Sequence, residues 1–195
     1  MAPFEEARLA PARAFTGIIR GWHTDQKGRL ATLRRSAGEP IAQARGVTWM
    51  YALLNSFGPT YGDEAVFLTA TLLAFDRPFL DGRPHPPLAG SFGKTLAMLK
   101  NQPGANSESI ERRFAILLDA DFDPATGDGE LPFRLRQTVK LVVSKNTGID
   151  WPQLLSDLRH WNNTDKPVQK RWAKEFYAQY SPVPTEEDKG ESNAD

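Results

Sequence analysis

Residues 131–145 read LPFRLRQTVKLVVSK, and this stretch decides between a helical fold and one that contains strands. Val142 and Val143 are β-branched neighbours and give the strongest strand signal in the chain. However, the apolar residues of the stretch recur every three or four positions, which is the spacing of one helix face and not of a strand. These residues are Leu131, Leu135, Val139 and Val142. The stretch therefore predicts an amphipathic helix.

Helical spacing continues on both sides of this segment. Phe15, Ile18, Ile19 and Trp22 stand at positions i, i+3, i+4 and i+7, which form one face of an amphipathic helix. Residues 76–90 hold four prolines and are predicted to form a loop. The remaining segments predict an all-α fold of about nine helices. These helices lie near 15–22, 30–33, 43–57, 64–75, 91–100, 108–119, 130–144, 151–160 and 166–180.

The sequence NQPGAN at 101–106 divides the predicted helices into two groups. Because proline and glycine interrupt helices, we expect a seam here between two packed helical bundles, over 1–105 and 106–180. Residues 181–195 hold five acids, one lysine and few apolar residues, so we expect a disordered acidic tail. Three helix starts are also predicted, because a side-chain oxygen there can accept free backbone N–H groups. These positions are Ser107, Asp150 and Asp165.

The composition indicates a soluble globular protein without thiol chemistry. The 195 residues include 24 basic side chains, 24 acidic ones and no cysteine, which excludes disulfides, thiol catalysis and Cys-bound zinc or iron–sulfur sites. No apolar run approaches the roughly 18 residues of a membrane span, and the first residues lack the apolar segment of a signal peptide. We therefore expect a cytoplasmic protein without membrane partners.

The net charge of zero conceals segments of opposite sign. Residues 8–45 carry eight basic and two acidic side chains, and residues 134–174 carry nine basic and three acidic ones. Between them, residues 46–133 carry six basic and eleven acidic side chains. The two positive segments favour a polyanionic partner, although some of their cations can also pair with acids of the middle segment within the fold.

Residue patterns that would support catalysis or metal binding are incomplete. The GKT at 93–95 ends like a phosphate-binding loop, but Leu88 stands where the first glycine belongs. The acids between 119 and 130 have the spacing of a calcium loop, but Pro124 occupies the position of the required glycine. The three histidines lie far apart in the sequence. We therefore predict no catalytic residue, no metal site and no cofactor.

Basic side chains without neighbouring acids cover one side of two predicted helices, over 131–145 and 166–180. Lys170 and Lys174 even stand at i and i+4, where like charges repel. Helices of soluble proteins usually mix glutamate and lysine on such a side, so these surfaces favour phosphate binding. The nucleic-acid contacts predicted on this basis are Arg134, Arg136, Lys140, Lys145, Lys170, Arg171 and Lys174, with Arg20 from the first basic segment.

Several motifs follow one another in a specific order and spacing. The first are Leu33-Arg34-Arg35, SFGKTLA at 91–97 and ERRFAILLDAD at 111–121. The next are Leu135-Arg136 with the apolar run to Val143, and IDWP at 149–152 followed by Leu158 and Trp161. Over residues 28–177 the chain thereby resembles the CasB family, the small subunit of the type I-E CRISPR surveillance complex, Cascade.

The resemblance implies a helical, non-catalytic protein of two bundles. Such subunits sit in pairs along the complex and contact its backbone subunit and its large subunit. They help to hold the guide RNA–target DNA duplex and the displaced DNA strand, so these nucleic acids, the other subunits and a second copy are the predicted partners. By motif, the resemblance adds Arg34, Arg35, Arg112 and Arg113 to the predicted nucleic-acid contacts and supports Arg136. The 76–90 loop, the 121–129 turn and the acidic tail depart from the family pattern.

Other functions remain open on the residues alone. The main alternative is a helical protein-interaction adaptor without nucleic-acid contact, in which basic faces meet the acidic middle segment of another copy. Arg112 and Arg113 follow Glu111, and in that case they can serve intramolecular pairs. A helix-turn-helix regulator is disfavoured, because the segment 43–57 carries few polar side chains that could contact bases. An enzyme lacks a supporting set of residues.

Overall fold

The computed structural model of the chain describes residues 3–57, 63–82 and 90–178, with side chains from residue 7 onward. Within these ranges the chain forms ten α-helices and no strand, so the all-α prediction is confirmed. The helices are α1 (Pro3–Asp25), α2 (Lys27–Arg35), α3 (Thr48–Ser56), α4 (Asp63–Leu73), α5 (Arg77–Leu80), α6 (Phe92–Lys100), α7 (Ser107–Asp119), α8 (Leu131–Ser144), α9 (Trp151–Arg159) and α10 (Pro167–Tyr177).

The short helix α5 lies within the segment 76–90 that is predicted as a loop, so this part of the prediction is wrong. The carboxylate of Asp76 accepts the backbone N–H of Phe79 at 3.1 Å and caps the helix. Pro78 stands in the first turn, where a proline removes no helical hydrogen bond. The number of prolines therefore predicts a longer loop than the structure contains. Residues 83–89 lie outside the described part of the chain.

Helix α3 begins at Thr48, five residues later than predicted. The residues before it form turns, in which the N–H groups of Gln43 and Ala44 both donate to the carbonyl of Pro40. The apolar spacing of the segment was therefore right for its second half only.

Helix caps follow the sequence signals in part. The predicted cap Asp150 is confirmed, because its carboxylate accepts a backbone N–H of the first turn of α9 at 3.0 Å. Helix α7 is capped by Asn106 instead of Ser107, one residue earlier. The cap predicted at Asp165 is wrong: the residue before α10 is Lys166, which has a left-handed backbone (φ 49°) and no side-chain capping bond.

A glycine allows α6 to approach α10. A Cβ at Gly93 would stand 2.2 Å from the carbonyl oxygen of Trp172, a distance at which the two atoms would overlap. The rings of Phe92 and Trp172 lie 5.4 Å apart beside this contact. Helix packing thus explains the glycine of the GKT sequence at 93–95.

Helix α9 lies between helices from both ends of the chain, because α1 and α4 both pack against it. Trp151 is buried at its start and donates its indole N–H to Asp76 at 2.9 Å. Arg8 of α1 donates to the hydroxyl of Ser156 at 2.7 Å. Helices from both sides of residue 105 therefore contact each other, and the division into two bundles stays a prediction.

Apart from Leu9, the buried apolar side chains of these helices form one continuous cluster. Within the ranges given above, none of the helices combines the length and the apolar character that crossing a membrane requires. The tail predicted at 181–195 lies outside the described residues.

Candidate nucleic-acid interface

A cleft between α7 and α8 gathers four of the predicted nucleic-acid contacts. It consists of two adjoining hollows, of about 260 and 250 Å³, which share Ser109 and Arg113. The described residues that line them include no acid. The cations of this surface, which we term the α7–α8 cleft, are Arg112, Arg113, Arg134 and Lys145.

The acidic turn at 120–130 sets the geometry of the cleft. Its carboxylates accept hydrogen bonds from its own backbone: Asp121 from the N–H of Glu130 at 3.0 Å, and Asp123 from the N–H of Ala125 at 2.8 Å. The turn sends α8 back along α7, so that the start of α7 lies across from the end of α8. Across the described residues, no group of three acidic or histidine side chains could hold a metal ion.

Two of the four cleft cations are paired with glutamates of their own helices. Arg112 lies 3.1 Å from Glu108, and Arg134 lies 3.3 Å from Glu130. Exposed pairs at i and i+4 contribute only about 0.3–0.5 kcal/mol, so a phosphate can replace these carboxylates. The other two cleft cations make no ion pair within the described part of the chain.

The cations of α8 do not all face this cleft. The amine of Lys140 lies 5.3 Å from the centre of the Phe75 ring. Arg136 lies beside Gly38, where a Cβ would stand 3.6 Å from its Cδ atom. Both positions are roughly 200–240° around the helix from Arg134. The basic side that the sequence predicts for α8 is therefore divided into two flanks, one at the cleft and one away from it.

Helix α10 carries an exposed strip formed by Lys170, Lys174 and Tyr177, at i, i+4 and i+7. Both lysines project outward as predicted, and neither makes an ion pair among the described residues. Tyr177 rests against Phe114 of α7, with 6.3 Å between the ring centres. We term this surface the α10 strip.

Arg171 does not belong to the α10 strip. Its guanidinium forms an ion pair with Asp157 of α9, whose side chain is 1% exposed. Asp157 also accepts the indole N–H of Trp172 at 2.6 Å and an amide N–H of Gln153. Burial raises the pKa of Asp157, and the guanidinium of Arg171 opposes that change. The outward orientation predicted for Arg171 is therefore wrong, because this guanidinium compensates a buried charge.

The predicted contacts in the first two helices lie apart from the cleft. The guanidinium of Arg20 stands 5.5 Å from the centre of the Phe79 ring, and Arg34 and Arg35 donate to groups of their own helix. Arg35 also lines a separate hollow together with Arg45, which was not among the predicted contacts.

The α7–α8 cleft contains further residues that the sequence did not single out. Ser109 and Gln137 line it with uncharged polar groups, and Ile116 adds a half-exposed apolar side chain. Phe133 lies beside the cleft without lining either hollow; it is 53% exposed, and its ring centre lies 5.8 Å from the guanidinium of Arg134. A signal for Phe133 exists in the sequence, since it stands outside the apolar periodicity of its helix.

Comparison with protein families and with known proteins identifies the same family in both cases. The family model of the CRISPR-associated protein Cse2 (CRISPR_cse2) matches residues 29–177. The CRISPR-associated protein Cse2 of Thermus thermophilus is 44% identical over 85 residues. This match covers 44% of the chain and 45% of that relative, which is less than half of the relative's length.

Solved structures agree over a longer part of the chain. A crystal structure of CasB from Thermus thermophilus is 29% identical, with a TM-score of 0.66, and the match covers 86% of this chain and 98% of that chain. A crystal structure of CasB from M. ruber is 30% identical, with a TM-score of 0.64, and the match covers 86% of this chain and 93% of that chain. A chain of a CRISPR RNA-guided surveillance complex shares the fold, at 21% identity and a TM-score of 0.72, over 88% of this chain and 94% of that chain. The resemblance found in the sequence is confirmed, and the chain belongs to the CRISPR-associated Cse2 family.

Proposed function

We propose that the chain is a non-catalytic small subunit of a type I-E CRISPR surveillance complex and that it binds nucleic acid without reading its sequence. The observation that carries this proposal is the α7–α8 cleft, where four cations meet and no described lining residue is acidic. Membership of the Cse2 family supports the proposal, as does the fold shared with a chain of a CRISPR RNA-guided surveillance complex.

The proposed role is to stabilise the R-loop in antiviral defence. Pairing of guide RNA with target DNA replaces one duplex by another of similar stability, so a modest contribution from protein decides whether the R-loop persists. Cations that neutralise phosphates release counterions and favour the bound state for any base sequence. The α7–α8 cleft and the α10 strip offer such cations to the guide RNA–target duplex and to the displaced strand.

The predicted residues take different parts in this proposal. The cleft cations and the two lysines of the α10 strip make the primary phosphate contacts, because they are concentrated and exposed. Arg171 acts indirectly, by holding α10 in place through Asp157. Secondary contacts along the same nucleic acid are assigned to Arg20, Arg34, Arg35, Arg136 and Lys140.

The proposal also names protein partners. The chain acts in the cytoplasm, and it acts by binding and not by catalysis. Its protein partners are the backbone subunit, the large subunit and a second copy of itself. Copurification of the full chain with a guide RNA and these subunits, after coexpression, tests this part. A chain that is left out of the assembled complex would contradict it.

A salt titration tests the nucleic-acid part. The double variant R113A/K145A removes the two cleft cations that have no ion pair in the described residues. Since log affinity falls with log salt by about 0.7–0.9 per phosphate contact, the loss of two contacts should reduce this slope by roughly 1.4–1.8. The control is K27A, which removes an exposed cation at the start of α2 and should leave the slope unchanged.

Fluorescence anisotropy of a labelled oligonucleotide, measured between about 50 and 200 mM salt, gives both affinity and slope. An affinity of the wild-type chain that does not depend on salt contradicts the proposal. An unchanged slope in the double variant contradicts the assignment to the α7–α8 cleft.

A further inference from the structure

We propose that the α7–α8 cleft takes a single strand of nucleic acid and that Phe133 stacks against one of its unpaired bases. The inference rests on the proposed function, because the cleft cations must hold the phosphates of the same strand. It goes further by restricting the cleft to the single-stranded form of nucleic acid and by assigning a contact to an uncharged residue.

The exposure of Phe133 is the first observation. Its helix buries the other apolar residues of its N-terminal half completely, since Leu131 and Leu135 are both 0% exposed. Phe133 is 53% exposed on the outer side of the same helix, so its ring adds little to the core. A large aromatic ring at such a position is available for a ligand.

The surroundings of Phe133 are the second observation. The guanidinium of Arg134 lies 5.8 Å from the ring centre, and Arg134 also lines the cleft. Gln137, one turn further along α8, lines the cleft as well. The ring therefore stands at the edge of a cationic groove. A strand whose phosphates follow the groove brings its bases within reach of this ring.

The combination of groove and ring indicates the form of nucleic acid. Positive grooves that carry aromatic side chains bind single strands, because every unpaired base offers a face for stacking whatever its identity. In a duplex the bases are stacked on each other and cannot reach a side chain outside the helix. An apolar protein surface is a poorer occupant, since it would bury Arg113 and Lys145, which make no ion pair among the described residues, without a counter-charge.

Removal of the ring tests the inference. F133L keeps an apolar side chain but removes the stacking surface, and its melting temperature should stay close to that of the wild type because the site is exposed. The matched control is Y51L, which removes a ring that is 41% exposed on α3. Three probes are used with the full chain: a single-stranded DNA, an abasic strand of equal length and the corresponding duplex.

The expected result is specific to one probe. F133L should bind the single strand about fivefold or more weakly than the wild type, and it should bind the abasic strand and the duplex as the wild type does. Y51L should match the wild type on all three probes. Equal loss on the intact and abasic strands would overturn the inference, because the ring would then act on the shape of the cleft and not on a base.

Further outcomes separate this inference from the proposed function. If F133L binds the single strand normally while R113A/K145A loses affinity, the function stands and the stacking contact is refuted. If F133L fails only to assemble with other subunits, the ring is a protein contact and the inference is refuted. A wild-type chain that binds none of the probes at low salt would overturn both.

Discussion

The guanidinium of Arg171 is bound to the buried carboxylate of Asp157, whereas the side chain of the neighbouring Lys170 extends into solvent. Two adjacent cations of one helix therefore serve different purposes. One compensates a buried charge, and the other faces the surroundings. Arg171 has a buried carboxylate as its partner and Lys170 has none within the described residues, so the free energy of unfolding should respond to the loss of Arg171 much more than to the loss of Lys170.

Replacement of Arg171 by alanine should lower the free energy of unfolding by about 2–4 kcal/mol, because it leaves the carboxylate of Asp157 buried without a counter-charge. K170A should change the same quantity by less than about 0.5 kcal/mol. Urea denaturation of both variants at neutral pH measures the difference. Equal stability of the two variants would mean that Asp157 does not need Arg171.

Two glycine substitutions should change the free energy of unfolding in opposite directions, because only one of the glycines lies at the contact between α6 and α10. G93A forces a Cβ against the carbonyl oxygen of Trp172 and should cost about 3 kcal/mol of unfolding free energy. G17A is the control: a Cβ there meets nothing within 4 Å in the middle of α1, so it should stabilise by about 0.5–1 kcal/mol. Thermal melting resolves both. A neutral G93A would show that the helices separate freely.

The intrahelical partners of Arg112 and Arg134 should restrain nucleic-acid binding. Because Glu108 and Glu130 compete with phosphate for these guanidinium groups, E108Q/E130Q should raise affinity about two- to fivefold at low salt. The gain should shrink as salt screens the charges. Anisotropy titrations measure it, with D25N as the control for an exposed acid on α1. A loss of affinity would instead indicate that the glutamates position the arginines.

Glu64 is a buried carboxylate that makes stability depend on pH. Its two oxygens accept the backbone N–H of Ile41 at 3.2 and 3.0 Å. Burial raises its pKa above 4.5; the hydrogen bond from Ile41 opposes this shift, and the charges of Asp63 and Asp128 add to it. The folded state therefore holds the proton more tightly than the unfolded chain. Its contribution to stability is complete below pH 4.5 and is lost as the pH rises through the folded pKa.

The variant E64Q tests this dependence, since its amide oxygen can still accept the N–H of Ile41 but cannot ionise. Relative to the wild type, E64Q should become more stable as the pH rises from about 4 to 7. Melting temperatures of both proteins across this range give the difference. A constant difference, or a trend in the opposite direction, would show that ionisation of Glu64 costs nothing in the fold.

The sequence predicts the helices well because their signal is local. The spacing of Leu131, Leu135 and Val139 suffices to outweigh the β-branched pair that follows. Helix ends are less predictable, because a cap depends on the backbone conformation as well as on the side chain. Thus Asp165 has a suitable carboxylate, yet Lys166 occupies the capping position.

The candidate site is only partly predictable, because it depends on contacts between helices. Charge patterns indicate Arg134 and Lys145, and the family motif indicates Arg113, but neither shows that one cleft collects them. The pairing of Arg171 was missed for the same reason. A signal for it existed, since its partner Asp157 stands on the apolar face of α9 and therefore requires a cation.

Among the described residues, the charged side chains that are buried in this fold are all acidic. Glu64, Asp76 and Asp157 are buried, whereas no lysine or arginine within the described residues is. Acids that count in the composition are thus withdrawn from the exterior, while the cations remain on it. The net charge is unchanged by burial, but an approaching polyelectrolyte comes closer to these cations than to the three buried carboxylates.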